Sequence, residues 1–241
     1  KKEVITVGSR TSMGKSAFST HLLFNLGDAN LTVIDFTNEM TEEQMCERLI
    51  TNVCNIDNMK LRKGLALEEF NERKEIFKRW AGNANILITN KYGRRFDDLL
   101  EVCEFIKPDF IIIDYIQMVH CGDKDQRQAI GDFLIDVGNL AKDMDFGVIN
   151  ISQINREGAS IDNTRPYLHQ LKASGVLEEF SDTVLLLHWE WIDRENNKYF
   201  IYVEKQRHGI TGKIEVKFEP QFSRFSDMPI FTPPIEKEIY K

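Results

Sequence analysis

No stretch of this 241-residue sequence approaches the ~18 consecutive apolar residues of a membrane-spanning helix, and it holds no internal repeat or low-complexity segment. With 42% hydrophobic residues, 14 Gly and only 6 Pro, it has the composition of an ordinary globular domain, which excludes a disordered, collagenous or membrane-spanning chain. It lacks a positive excess: 31 Lys+Arg against 38 Asp+Glu give −7, so wholesale coating of nucleic acid is excluded and any such contact must be a local basic loop. Cysteine is scarce too. Cys46, Cys54, Cys103 and Cys121 form no C-x-x-C pair, and each sits in or beside an apolar stretch, which predicts reduced, buried thiols and a cytoplasmic location. His120, His169, His188 and His208 show no metal-ligand spacing, and Trp80, Trp189 and Trp191 read as packing residues. No signal peptide precedes Val4, and the chain opens on Lys1, from which we expect a fragment of a longer polypeptide. At this length one α/β domain buries roughly 70–75% of its unfolded surface without a metal or disulfide staple.

Strand-like and helix-like stretches alternate, which predicts an α/β fold. Val4–Val7, Leu31–Phe36, Ile86–Thr89, Phe110–Asp114 and Val148–Ser152 are apolar runs with little polar alternation, the pattern of parallel strands buried on both faces. Helical stretches lie between them at Lys15–Leu26, Thr41–Cys54, Leu67–Trp80, Asp97–Ile106 and Gln126–Asp143, and Thr41 with Gln44 has the spacing of a capping box. The last third reads as hairpins extending the sheet: Thr183–Trp189, Tyr199–Val203 and Lys213–Phe218, with turn residues between. We expect one domain over residues 1–228 and an exposed tail or docking peptide over 229–241.

Val4-Ile5-Thr6-Val7-Gly8-Ser9-Arg10-Thr11-Ser12-Met13-Gly14-Lys15-Ser16, continuing into Ala17, reads as strand, small-residue turn and helix start. That is the setting of a phosphate loop: backbone N–H groups converge on an anion, Lys15 reaches the β- and γ-phosphates, and the Ser16 hydroxyl binds Mg²⁺. Ser9 stands where the strict motif has its first glycine, a mild departure because serine is small. A nucleoside triphosphate is the expected ligand.

Ligands of parallel sheets lie beyond the carboxyl ends of the strands, so polar residues at those ends carry weight. Phe110–Ile113 ends on Asp114, an apolar strand closed by one acid whose task is to hold Mg²⁺ or its water shell. Alone, such an Asp is as readily a turn former; the phosphate loop upstream gives it meaning. With Asp114 on metal duty, Glu39 is the natural general base for a hydrolytic water, or else a helix N-terminal acid that favours the macrodipole. Gln153, after Val148–Ser152, is either a γ-phosphate sensor or a strand end.

Taken in order, these motifs resemble the RecA-like motor domain of the DnaB-type replicative helicases over nearly the whole chain. Arg10–Ser16 resembles that family's phosphate loop, Phe36-Thr37-Asn38-Glu39-Met40 its segment bearing the catalytic Glu, and Ile113-Asp114-Tyr115-Ile116-Gln117 its Walker B signature. Ile151–Arg156 resembles its Gln-bearing motif, and Lys205-Gln206-Arg207-His208-Gly209 its arginine-finger hairpin. The resemblance implies a RecA-like P-loop NTPase fold with ATP and Mg²⁺ as cofactors. By position, Lys15 and Ser16 bind phosphate and metal, Glu39 activates water and Asp114 supports the metal. Arg48 matches an Arg near the hydrolytic centre, or is a solvated helix charge. Lys205 and Arg207 would reach the γ-phosphate of a neighbouring subunit, their i, i+2 spacing on a strand pointing both to one side.

For DNA, the resemblance marks Lys172-Ala173-Ser174-Gly175, with Arg156 in the loop Asn155–Pro166 and the segment Cys121–Arg127 beside it. An acidic residue usual before the Ser-Gly is Ala173 here, and the usual Pro of the phosphate loop is Thr11. The implied partners are single-stranded DNA, a homo-hexamer in the full-length protein, a primase and a helicase loader, and no membrane. The implied activity is 5′-to-3′ unwinding driven by ATP hydrolysis at subunit interfaces. The family's N-terminal collar domain and linker are not in this sequence, so we expect weak ring assembly. The alternatives are a RecA-family ATPase acting as a recombinase or regulatory switch, and a non-enzymatic nucleotide-binding scaffold.

Overall fold

A computed structural model describes residues 2–154, 165–171, 174–190 and 198–228. The elements run β1 (Val4–Ser9), α1 (Lys15–Asp28), β2 (Thr32–Thr37), α2 (Glu42–Cys54), α3 (Asn58–Lys63), α4 (Leu67–Ala81), β3 (Asn85–Thr89), α5 (Phe96–Ile106), β4 (Phe110–Asp114) and α6 (Gln126–Met144). The second half adds β5 (Gly147–Gln153), α7 (Ser174–Phe180), β6 (Thr183–Glu190), β7 (Lys198–Gln206), β8 (Gly212–Glu219) and β9 (Arg224–Asp227). Every strand and helix expected from the sequence is present, its ends moved by three residues at most. The additions are α3, α7 and β9. The expected tail, 229–241, lies outside the described residues.

The strands form one sheet in the order β3-β2-β4-β5-β1-β6-β7-β8-β9. Pairing is parallel from β3 through β6 and antiparallel from β6 to β9. Both faces of the parallel part are covered, which is why its strands carry no polar alternation. Ile34, Phe36, Ile111, Ile113 and Val148 pack with Leu99 and Cys103 of α5 and Phe133 and Val137 of α6. On the other face Val33, Ile112, Ile149 and Ile151 pack with Phe18 and Leu23 of α1 and Met45 and Leu49 of α2.

Local signals set the helix starts. Thr41 and Gln44 exchange backbone and side-chain hydrogen bonds as a complete capping box, and Asn55 ends α2 in the left-handed conformation. Asp125 caps α6 by accepting from the N–H groups of Arg127 and Gln128. The thiol expectation needs correction: Cys54 and Cys103 are buried, but Cys46 is exposed and Cys121 only half-buried. The buried stripe of α2 runs Met45, Leu49, Asn52, and Cys46 stands about 100° round the helix from it.

One buried group has no place in the core chemistry. Asp35, on the same face of β2 as Val33, is fully buried, and neither carboxylate oxygen has a hydrogen-bond partner. Burial, and then the charge of Asp114, holds its carboxyl well above the ordinary range. A folded-state value above the unfolded one makes Asp35 harmless below about pH 4 and increasingly destabilising as pH rises toward the folded value. Asp35→Val, close in size and suited to a strand, is expected to raise urea stability by about 1–3 kcal/mol at pH 8 and by much less at pH 4. A midpoint that falls equally at both pH values would show that the carboxylate is satisfied.

Candidate active site

The site is assembled at the carboxyl edge of the parallel strands. Ser9 pairs with Gln153, Thr37 with Asp114, and Asp114 with Ile151, so the ends of β1, β2, β4 and β5 lie side by side. The chain leaves β1 through Arg10–Met13 and enters α1 at Lys15, presenting the unpaired N–H groups of a helix start to the edge. Gly14 makes this turn with φ +86°, and a Cβ there would come within 2.9 Å of the Phe218 ring. Both the conformation and the space require glycine. Tyr199, from β7, fixes the turn from below by donating its hydroxyl to the Met13 carbonyl at 2.6 Å.

A cleft of about 330 Å³ opens over this loop. It is lined by Ser9–Ser12 and Gly14–Ala17 of the loop, by Glu39, Arg48 and Gln153, and by Trp189, Phe218 and Pro220. Two residues assigned to the nucleotide from the sequence are not among those lining the cleft. Gly8 does not line the cleft: it lies within β1, where a Cβ would strike Leu171 at 2.4 Å and Leu186 at 2.8 Å, so its role is packing. Met13 does not line it either, its carbonyl being turned to Tyr199.

The charges converge. Lys15 Nζ donates to Glu39 Oε2 at 3.0 Å, stands 3.7 Å from Asp114 Oδ1 and lies 4.1 Å over the Tyr115 ring. Asp114 is 1% exposed, and burial pushes its carboxyl up to about 6, with Lys15 pulling it down and Glu39 pushing it further up. Arg48, on α2, reaches the same cleft and adds to the pull on Asp114. Of the two readings of Arg48, the geometry therefore disfavours a solvated helix charge. Asp114 Oδ1 is buried without a hydrogen-bond partner. A carboxylate oxygen without a hydrogen-bond partner at this position fits a divalent cation or its water shell, and Ser16 lines the same cleft. Elsewhere, no cluster of three or more His, Cys, Asp or Glu suits a metal among the described residues. His188 is buried in β6, as a strand histidine.

Gln153 donates its side-chain amide to Thr11 Oγ1 at 3.1 Å, and its backbone N–H reaches Gln117 Oε1. The Gln117 carbonyl in turn accepts from Gln126 in the first turn of α6. A hydrogen-bonded chain thus joins the phosphate loop to the start of α6. There Arg127 places Nη2 2.7 Å from where a Cβ of Gly175 would stand. Gly175 is in the first turn of α7, the helix that Ser174 opens. Arg156 and Lys172 lie outside the described residues.

Lys205 and Arg207 sit elsewhere. Arg207 is bound to Asp182 through its backbone N–H at 2.9 Å and through Nη1 at 2.6 Å, while Asp182 N–H bonds the Val4 carbonyl. Lys205 donates to the Glu178 carbonyl at the end of α7. Both cations are therefore at the amino end of β1, whereas the phosphate loop is at its carboxyl end. The simple i, i+2 picture also changes, because β7 carries an irregularity opposite Val184/Leu185 and ends at Gln206.

Sequence reasoning missed the wall facing the phosphate loop. Trp189 and Phe218 meet edge to face at 5.2 Å, and Phe218 stacks on Phe225 at 4.4 Å. Alternating aromatics in β6–β9 were the available signal, but only the sheet order brings them over Gly14.

A family model, DnaB-like helicase C terminal domain, matches residues 1–227. The chain belongs to that family. Among its relatives, the replicative DNA helicase DnaB of Haemophilus influenzae is 28% identical over 94% of this chain and 51% of its own length. The replicative DNA helicase DnaC of Bacillus subtilis is 27% identical over 95% and 53%. The chain thus spans about half the length of the curated relatives it matches. A DnaB-like replicative helicase, solved in a study of its interactions with primase, superposes with TM-score 0.85 at 24% identity, covering 94% of this chain and 57% of that one. A second solved structure, an isolated ATPase domain, gives TM-score 0.85 at 24% identity over 94% and 85%. These two likenesses establish the fold, a mainly parallel sheet between helices with an antiparallel extension.

Proposed function

We propose that the chain is the motor of an ATP-dependent replicative DNA helicase, hydrolysing ATP at the subunit interfaces of a hexameric ring and moving 5′ to 3′ on single-stranded DNA. One observation carries the reading: Arg207 and Lys205 lie at the end of β1 opposite the phosphate loop of their own chain. Six residues of strand separate the two ends, roughly 17 Å, too far for an arginine to bridge. A complete site then needs these cations from a neighbour, the arrangement of an arginine finger in trans. Family membership and the names of the relatives support this over a recombinase or a regulatory switch.

In this reading, loop N–H groups and Lys15 hold the phosphates, Glu39 takes the proton of the attacking water, and Gln153 links the γ-phosphate to Thr11 and the start of α6. Mg²⁺, when bound through Ser16 and Asp114, screens the phosphate charge. Single-stranded DNA is gripped near Lys172, Ser174 and Gly175, with Arg156 and Arg127 adding cations. Primase and a loader are the proposed partners of the whole protein, and the proposed location is the cytoplasm.

The test is ATP hydrolysis measured across protein concentration, with and without single-stranded DNA. A rate per molecule that rises with both supports the motor. A rate flat in concentration and indifferent to DNA would replace it with a self-contained ATPase.

A further inference from the structure

We propose that Asp182 is the positioning residue for Arg207: it mounts the finger on the base of β1 and fixes where the guanidinium stands when a neighbouring subunit presents its nucleotide. This rests on the trans-finger reading and extends it to a residue that no motif in the sequence marks.

The Asp182 carboxylate is almost fully buried and divided between two partners. Oδ2 accepts from the Val4 N–H at 2.9 Å, and Oδ1 takes Arg207 Nη1 at 2.6 Å. Its backbone is tied as well, with N–H to the Val4 carbonyl at 2.8 Å and its carbonyl accepting the Arg207 N–H at 2.9 Å. Next to it Ser181 and Thr6 share a buried hydroxyl contact at 2.7 Å, a second tie between this segment and β1. The anchor is therefore rigid, on the strand whose other end becomes the phosphate loop.

Arg207, by contrast, is half-exposed, just past the end of β7, where a long side chain would otherwise sample many rotamers. One of its five N–H donors faces Asp182, leaving the others to point outward at a phosphate oxygen. A carboxylate so placed keeps the guanidinium on one rotamer before assembly, the pre-organisation that transition-state stabilisation requires.

The experiment uses Asp182→Asn, whose amide oxygen can still accept from Val4 N–H, at protein concentrations where the rate per subunit has reached its plateau with single-stranded DNA. We expect kcat to fall by about 10- to 100-fold, the cost of a group displaced by about an ångström, with KM for ATP and nucleotide affinity within about twofold. In an Arg207→Ala background the same substitution should cost nothing further, because Asp182 acts only through Arg207. Mixing Asp182→Asn subunits with Lys15→Ala subunits should restore turnover, since the second supplies an intact finger to the first one's intact phosphate loop.

Unchanged kcat in Asp182→Asn overturns the proposal. Parallel loss of kcat and nucleotide binding, unrescued by mixing, also overturns it, by making Asp182 a structural residue. The trans-finger reading has its own control: if Arg207→Ala mixed with Lys15→Ala fails to recover activity, that reading falls whatever Asp182 does. Should Asp182→Asn fail to fold, Asp182→Glu keeps the charge and shifts it by one methylene; a kcat loss at constant KM supports the proposal and an unchanged kcat overturns it.

Discussion

Replacing Arg207 with alanine is expected to lower kcat for ATP hydrolysis by about 10³–10⁵-fold, the range for arginine fingers that act on a transferring phosphoryl group. That is a loss of about 4–7 kcal/mol of transition-state stabilisation. Nucleotide affinity should change little, because Arg207 is at the far end of β1 from the loop that binds the phosphates in its own chain. The fold should survive: the side chain is half-exposed, and Asp182 retains the Val4 N–H as a partner. Equilibrium binding of a fluorescent nucleotide, set beside steady-state turnover, separates the two quantities. Affinity lost in proportion to rate would mean that Arg207 serves its own subunit's nucleotide, and the ring motor would lose its main support. Lys205→Ala should cost less, since its ammonium is committed to the Glu178 carbonyl.

How much of this was legible in the sequence depends on where the information sits. The phosphate loop, Glu39 and Asp114 could be read because each is local: a strand, a turn and a helix start lie within a few residues of one another. The parallel strands were legible because burial on both faces leaves continuous apolar runs such as Phe110–Ile113. What was missed has weak local signals or none. The short helix α3 has no buried residue and is announced only by its Asp57 cap, and β9 is four residues long, held by pairing with β8. The Trp189–Phe218 wall stands over Gly14, from the other end of the sequence, and the Asp182 carboxylate reaches Val4 across 178 positions. Such contacts follow from strand order, which neither periodicity nor motif spacing encodes. Asp35 is a different case: its position in an apolar strand was visible, but not that the chain buries it without a partner.

Changing Lys15 to alanine should have two separable effects. The first is on chemistry: removing the loop lysine assigned to the phosphates is expected to reduce hydrolysis by at least about 10²–10³-fold, as the loss of a single charge-stabilising donor does elsewhere. The second is on the fold. Lys15 is 3.7 Å from the buried Asp114 oxygen and is the strongest group opposing the rise of that carboxyl, which already stands at about 6. Because this folded-state value lies above the unfolded one, Asp114 is harmless below about pH 4 and costs stability as pH climbs through 6. Without Lys15 the folded value rises further. The variant should then be less stable than the parent by about 1–3 kcal/mol at pH 8 and nearly equal to it at pH 4, read from urea midpoints without nucleotide or metal. Adding Asp114→Asn should restore the stability and leave hydrolysis abolished, because the charge imbalance is cured while the phosphate contact is still missing. Normal turnover in Lys15→Ala would refute the phosphate-loop assignment, and a stability loss independent of pH would show that Lys15 supports the fold through packing on Tyr115 instead of through charge.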